Sequence, residues 1–152
     1  MTSVAIALGS NLGEREQHLR DAIAALTPFV QNLRVSTFHD TVPVGVKGPQ
    51  PIYLNAAVVG DTTLSAHELL DTLLGIETSL GRVRPFPNAP RTLDLDLILY
   101  DAAIESSERL SLPHPRFRER RFVLAPLAEI APDWRDPVTG KSVEELLRAL
   151  GE

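Results

Sequence analysis

The chain has no cysteine in its 152 residues, which excludes disulfides and thiolate metal sites and fits a cytoplasmic protein. Aromatic residues make up only 5%, with none in Val4–Leu8 and only the terminal Tyr100 in Leu93–Tyr100, which counts against an RNA-binding module that needs aromatics on its central strands. No run approaches the roughly 20 apolar residues of a membrane helix. The start, Met1 to Gly9, lacks a basic region, and its apolar run is too short for a signal peptide. A basic surplus is missing too. The net charge is −5, whereas nucleic-acid binding calls for a basic footprint. Lysine is nearly absent: 13 of the 15 basic residues are arginine, and 8 of those lie between Arg82 and Arg121. Arginine's planar fork matches phosphate oxygens better than lysine's point charge. An arginine cluster in an acidic chain points to a small polyphosphate ligand.

Length and balance predict one domain over residues 1–152, large enough to bury a core. Val4–Leu8 reads as a buried strand, with Ser10 and Asn11 as cap residues for a helix through Leu19, Ile23 and Leu26. Leu33–Phe38 and Tyr53–Val59 read as further strands. Three prolines and two glycines between Val42 and Pro51 mark a long loop. Ser65 and Glu68 form a capping box for a second helix, whose apolar face is Leu69, Leu70, Leu73, Leu74 and Leu80. Glu77 lies at the edge of that face. A second loop holds three prolines between Arg82 and Pro90, and a strand follows from Leu93 to Tyr100. The order β-α-β-β-α-β predicts an α+β, ferredoxin-like sandwich. Arg109–Leu112 adds a strand, and Phe122–Ile130 and Ser142–Leu150 add helices, the last with its own capping box.

The chemistry concentrates in the run from Arg91 to Tyr100. Alternate side chains of a strand share a face, so Leu93, Leu95, Leu97 and Leu99 are expected to face the core. Asp94 and Asp96 then project together from the other side. Paired carboxylates repel unless a cation lies between them, and aspartate is a poor strand former. From the strand alone, a solvated polar face of an antiparallel sheet is the alternative reading, the less favoured of the two. Hard oxygen ligands suit Mg²⁺, which takes one or two carboxylates together with substrate phosphates. Arg82, Arg84 and Arg91 flank the preceding loop, where they can neutralise and align those phosphates. His114 sits between Pro113 and Pro115, ahead of Arg116, Arg118, Arg120 and Arg121. Thr139–Ser142 resembles the end of a P-loop, but Arg135 stands where its first glycine is required. That segment is expected to be a turn and cap.

Taken in order, Ala7–Gly13, Thr41–Gly45, Tyr53–Ala56, Gly81–Arg84, Ala89–Asp96 and Leu112–His114 resemble the 6-hydroxymethyl-7,8-dihydropterin pyrophosphokinase family over nearly the whole chain. The resemblance implies a monomer with neither nucleic-acid nor membrane partners. Its substrates would be ATP and the hydroxymethyl dihydropterin, the pterin hydroxyl attacking the β-phosphorus of ATP. Asp94 and Asp96 would hold two Mg²⁺ ions, with Arg82 and Arg91 beside the transferred group. Glu77, Arg84, Leu97, Arg109, Ser111, His114 and Arg120 match nucleotide positions. Thr41, Val42, Val44, Tyr53, Asn55 and Phe122 match the pterin site, with the pterin stacked between Tyr53 and Phe122. Three departures stand out: Val42 replaces a proline, Pro115 an aromatic residue, and Asn88 a loop tryptophan, leaving Phe86 as that loop's aromatic. Two rivals remain open. Nucleotidyl transfer also uses an Asp-x-Asp pair, and ferredoxin-like RNA modules share the fold but need aromatics on their central strands.

Overall fold

A computed structural model describes residues 1–10, 14–41, 53–81 and 93–151. Thr2–Ser10 forms β1, apolar enough to be buried on both faces from Val4 onward. Helix α1 (Arg15–Leu26) buries Leu19, Ala22 and Leu26. Glu14, not Ser10, precedes its first turn. Ser10 is the last residue of β1, and its hydroxyl lies 3.3 Å from His18 Nδ1. Of the expected strand at 33–38 only the first half is strand, within β2 (Gln31–Val35), and a separate β3 (His39–Thr41) begins just beyond it. The break has a local cause. Ser36 Oγ accepts the Ala57 N–H at 2.9 Å, so a side chain interrupts the backbone ladder.

β4 (Tyr53–Thr62) pairs antiparallel with β1, β2 and β3, and β5 (Asp94–Tyr100) pairs antiparallel with β1 on its other side. The main sheet order is β2-β4-β1-β5, with β3 also on β4. Helix α2 (Ala66–Gly81) begins at the Ser65–Glu68 capping box, bonded in both directions. β6 (Glu105–Ser106) and β7 (Ser111–Leu112) make a small separate ribbon. A single 3-10 turn (Phe117–Glu119) leads into α3 (Arg121–Ile130), and α4 (Val143–Ala149) ends the fold behind a second capping box at Ser142 and Glu145.

Two cores sandwich the sheet. Val4, Ile6, Leu8, Ala56, Val58, Leu93, Leu95 and Leu97 meet α1 and α2, whereas Ala5, Ala7, Ala57, Val59, Ile98 and Leu99 meet Phe117, α3 and α4. Leu99 therefore does not share the face of Leu93, Leu95 and Leu97, contrary to strict alternation. The register against β1 passes from Ile6↔Leu97 to Ala5↔Leu99, so Ile98 is an extra residue that sends Leu99 to the opposite side. Alternation holds up to the bulge, which leaves Asp94 and Asp96 together.

The Thr139–Ser142 stretch is a turn, with Gly140 at φ 76° and the Asp136 N–H donating to the Lys141 carbonyl at 2.9 Å. No helix among the described residues is long and apolar enough to cross a membrane.

Candidate functional site

The α3 side of the sheet is apolar where α3 and α4 cover it and turns polar toward the end of β1. Across the strands, Gly9 stands opposite both Asn55 and Asp94, and Ala7 opposite both Ala57 and Asp96. Directly opposed residues share a face, so Asn55, Asp94 and Asp96 project into one space. Asn55 is buried, and both aspartates are half-buried. Gly9 keeps the lane between Asn55 and Asp94 open: a Cβ there would stand 3.0 Å from Asn55 Oδ1. Gly9→Ala is therefore expected to displace the Asn55 amide and, on the pterin contact that the family resemblance implies for Asn55, to raise the pterin KM about fivefold with the ATP KM unchanged. Steady-state kinetics with each substrate varied in turn checks this.

Two half-buried carboxylates at the open end of a sheet suit a hard cation. Among the described residues no group of three or more His, Cys, Asp or Glu side chains could hold a metal. A hard cation such as Mg²⁺ can take only one or two carboxylates and fill its remaining positions from phosphates and water.

A second feature lies along β5, the last strand of the sheet. A groove of about 310 Å³ runs between α2 and the segment 108–115, lined by Glu77, Asp96, Leu97, Arg109, Ser111 and His114. Six residues chosen from sequence for metal or nucleotide contacts thus meet in one place. Leu70 and Leu74 of α2 are also part of the wall. Leu74 is 44% exposed, so it belongs to the groove and not to the core face expected of it. Leu80 is likewise exposed at 36%. The Leu97 side chain is buried beneath α2, which leaves its backbone to serve the groove. Glu77 Oε2 accepts the Leu95 N–H at 2.6 Å, so it satisfies a donor on the free edge. Residues two apart direct their backbone groups to the same edge, and Leu97 consequently presents its own N–H and C=O there.

His114 donates its backbone N–H to the Ile98 carbonyl at 2.9 Å. Burial pushes its imidazole pKa down, with Arg120 and Arg116 adding to that and Asp96 opposing it. That shift favours the neutral ring, which offers one N–H donor. Arg109 pairs with Asp71 of α2, both exposed to solvent. His67 of α2 holds Glu105, fixing the β6–β7 ribbon that carries Ser111.

The third feature is aromatic. Tyr53 follows Asn55 to the α3 face by strand alternation and pairs in register with Thr41. Phe122, in the first turn of α3, is 40% exposed, and the Arg120 guanidinium lies 5.6 Å from its ring centroid. The rest of the arginine cluster disperses. Arg118 binds Asp136, Arg121 donates to the Gly151 carbonyl, and Arg116 lies 3.8 Å from Glu119. Of the four, Arg120 is the one whose guanidinium stands beside Phe122, and it shares the neighbourhood of His114 with Arg116. Periodicity could not separate them, because tertiary partners decide where each guanidinium goes. Arg82, Arg84, Arg91, Val42 and Val44 lie outside the described residues, as do Asn11, Phe86 and Asn88.

Sequence reading missed Gly9 as a spacer. Its signal was a glycine closing a strand, which also reads as an ordinary turn.

Residues 5–132 match the family model for 7,8-dihydro-6-hydroxymethylpterin-pyrophosphokinase. The chain is 45% identical over 144 residues to 2-amino-4-hydroxy-6-hydroxymethyldihydropteridine pyrophosphokinase of Synechocystis, covering 93% of this chain and 73% of that one. It is 44% identical over 142 residues to the Bacillus subtilis enzyme of the same name, covering 92% and 84%. A crystal structure of Plasmodium falciparum HPPK-DHPS superimposes with a TM-score of 0.79 at 12% identity, over 97% of this chain. The match spans 43% of that longer protein and speaks to the fold alone. The match over most of the length, at such identity, makes this chain a member of the 7,8-dihydro-6-hydroxymethylpterin-pyrophosphokinase family.

Proposed function

We propose that the protein transfers the pyrophosphoryl group of ATP to the hydroxymethyl group of 6-hydroxymethyl-7,8-dihydropterin, giving AMP and the pterin pyrophosphate. The observation that carries this reading is the position of Asp96. It lines the groove along β5 and shares a sheet face with Asn55. A triphosphate entering from the groove and a hydroxyl presented from the aromatic side would meet at the two aspartates.

The pterin fits between Tyr53 and Phe122, where a flat heteroaromatic gains on both faces. Asn55 supplies donors and an acceptor to its mixed edge. Thr41, Val42 and Val44 are the remaining pterin residues on the family resemblance. The adenine end of ATP lies against the Leu97 backbone and Leu74, with Ser111 and Arg109 alongside. His114 and Arg120 donate to phosphate oxygens, and Arg84 joins them on the resemblance. Asp94 and Asp96 would hold two Mg²⁺ ions, which when bound neutralise charge on the triphosphate and orient it. Arg82 and Arg91 steady the transferred group. Alignment of the hydroxyl with the β-phosphorus, and exclusion of competing water, are the remaining demands on the protein.

Phosphorus NMR of products from ATP, Mg²⁺ and the hydroxymethyl dihydropterin tests this. AMP and a new diphosphate ester are expected. Free pyrophosphate with AMP joined to the pterin would replace the reading with nucleotidyl transfer.

A further inference from the structure

The stretch from Arg34 to His39, which joins β2 to β3, lies along the C-terminal end of α3. Arg34 donates to the Ile130 carbonyl at 2.8 Å. Glu129 takes the rest. Its Oε1 accepts the Thr37 N–H at 2.9 Å, the Thr37 hydroxyl lies 2.9 Å from both carboxylate oxygens, and Oε2 meets His39 Nε2. Thr37 Oγ1 also lies 3.2 Å from His39 Nε2. Burial works against ionisation of Glu129, but the bonds from Thr37 and His39 outweigh it and draw its pKa below the usual carboxylate value. An isolated surface ion pair contributes little. One carboxylate collecting an amide and a hydroxyl from Thr37 and an imidazole from His39 is a more rigid tie.

Such a tie answers a need of this helix. Val123, Leu124 and Leu127 of α3 seat it on a sheet face that includes Ala5, Ala7 and Ala57. The three alanines give burial but few ridges to stop a helix from sliding or rotating, although Val59, Ile98 and Leu99 lie on the same face. Pro126 has no N–H for the carbonyl four residues back, that of Phe122. The first turn, which carries Phe122, is held less firmly by its own helix. His39 stands directly opposite Asn55, and Thr41 opposite Tyr53, so the clasp abuts the other wall of the same pocket.

We propose that the Glu129 clasp on Thr37 and His39 is a positioning device for the pterin, setting the gap between Phe122 and the Tyr53–Asn55 wall. This rests on the assignment of those three residues as the pterin pocket. The clasp lies at the β3 side of the sheet, three strand spacings (~14 Å) from β5 and its groove. It therefore acts on one substrate and not on the other.

The test measures KM for ATP and for the hydroxymethyl dihydropterin, and kcat, in Glu129→Ala, Thr37→Val, Thr37→Ser and Phe122→Ala, with thermal melting of each. Glu129→Ala and Thr37→Val are expected to raise the pterin KM about tenfold, with the ATP KM and kcat within about twofold of the parent. Thr37→Ser, which keeps the hydroxyl, restores the parent value. An unchanged pterin KM in Glu129→Ala or Thr37→Val, or equal rises for both substrates, overturns the proposal. If Phe122→Ala raises the pterin KM and the clasp variants do not, the clasp alone fails. An unaffected pterin KM in Phe122→Ala means the pocket assignment has failed. Should Glu129→Ala not fold, Thr37→Val and Thr37→Ser carry the same comparison.

Discussion

Asp96→Ala is expected to lower turnover by about 10³-fold or more while leaving the fold intact, a loss of roughly 4 kcal/mol of transition-state stabilisation. Asp96 borders the groove along β5 and stands across Ala7 from the α3 side of β4. Its carboxylate is half-buried, and its removal relieves repulsion with Asp94 without opening a cavity in either core. Thermal melting should therefore stay within a few degrees of the parent. Mg²⁺-dependent ATP binding, followed by calorimetry, should weaken together with turnover. Near-normal activity would reduce the aspartate pair to the polar end of a sheet.

Asp136→Ala is expected to act on stability instead, costing about 3 kcal/mol in chemical denaturation. That is the lower end of the ~3–5 kcal/mol seen when one partner of a buried pair is removed, because Arg118 can turn partly to solvent. The Asp136 side chain is fully buried. It accepts from Arg118 Nε and, at 2.9 Å, from its terminal nitrogen, from the Val138 N–H at 2.9 Å and from the Thr139 hydroxyl at 2.7 Å. One carboxylate thereby joins the turn before α4 to the 3-10 turn before α3. Burial would raise its pKa, but these hydrogen bonds and the Arg118 charge lower it to about 2 from the ordinary 3.8. A depressed carboxylate adds stability above its unfolded pKa and loses it as pH falls through the folded one. The contribution, roughly 2 kcal/mol, is present above pH ~4 and disappears toward pH 2. Asp136→Asn should flatten that part of the stability–pH curve. An unchanged acid limb would mean that the pair does not govern acid sensitivity.

Much of the fold was legible from local pattern. Both capping boxes, Ser65–Glu68 and Ser142–Glu145, form as their spacing predicts. The start of α1 was misread because Ser10 is a good cap in isolation, yet the pairing of β1 with β4 keeps it in the strand. The split between β2 and β3 and the bulge at Ile98 also escaped periodicity. Both are departures from alternation made by partners distant in sequence.

The candidate site divides in the same way. The carboxylate spacing in β5 placed Asp94 and Asp96 on one face, since two residues on a strand return to the same side whatever the surroundings. Leu74 was taken for core and is exposed in the groove wall instead, because burial depends on what packs nearby. The sequence by itself determined the kind of chemistry, through residue types and short spacings. Only the tertiary structure decided which side chains meet: β1 lies between β4 and β5, so Gly9 brings Asn55 and Asp94 to one lane, and that juxtaposition depends on long-range strand pairing that no local pattern encodes.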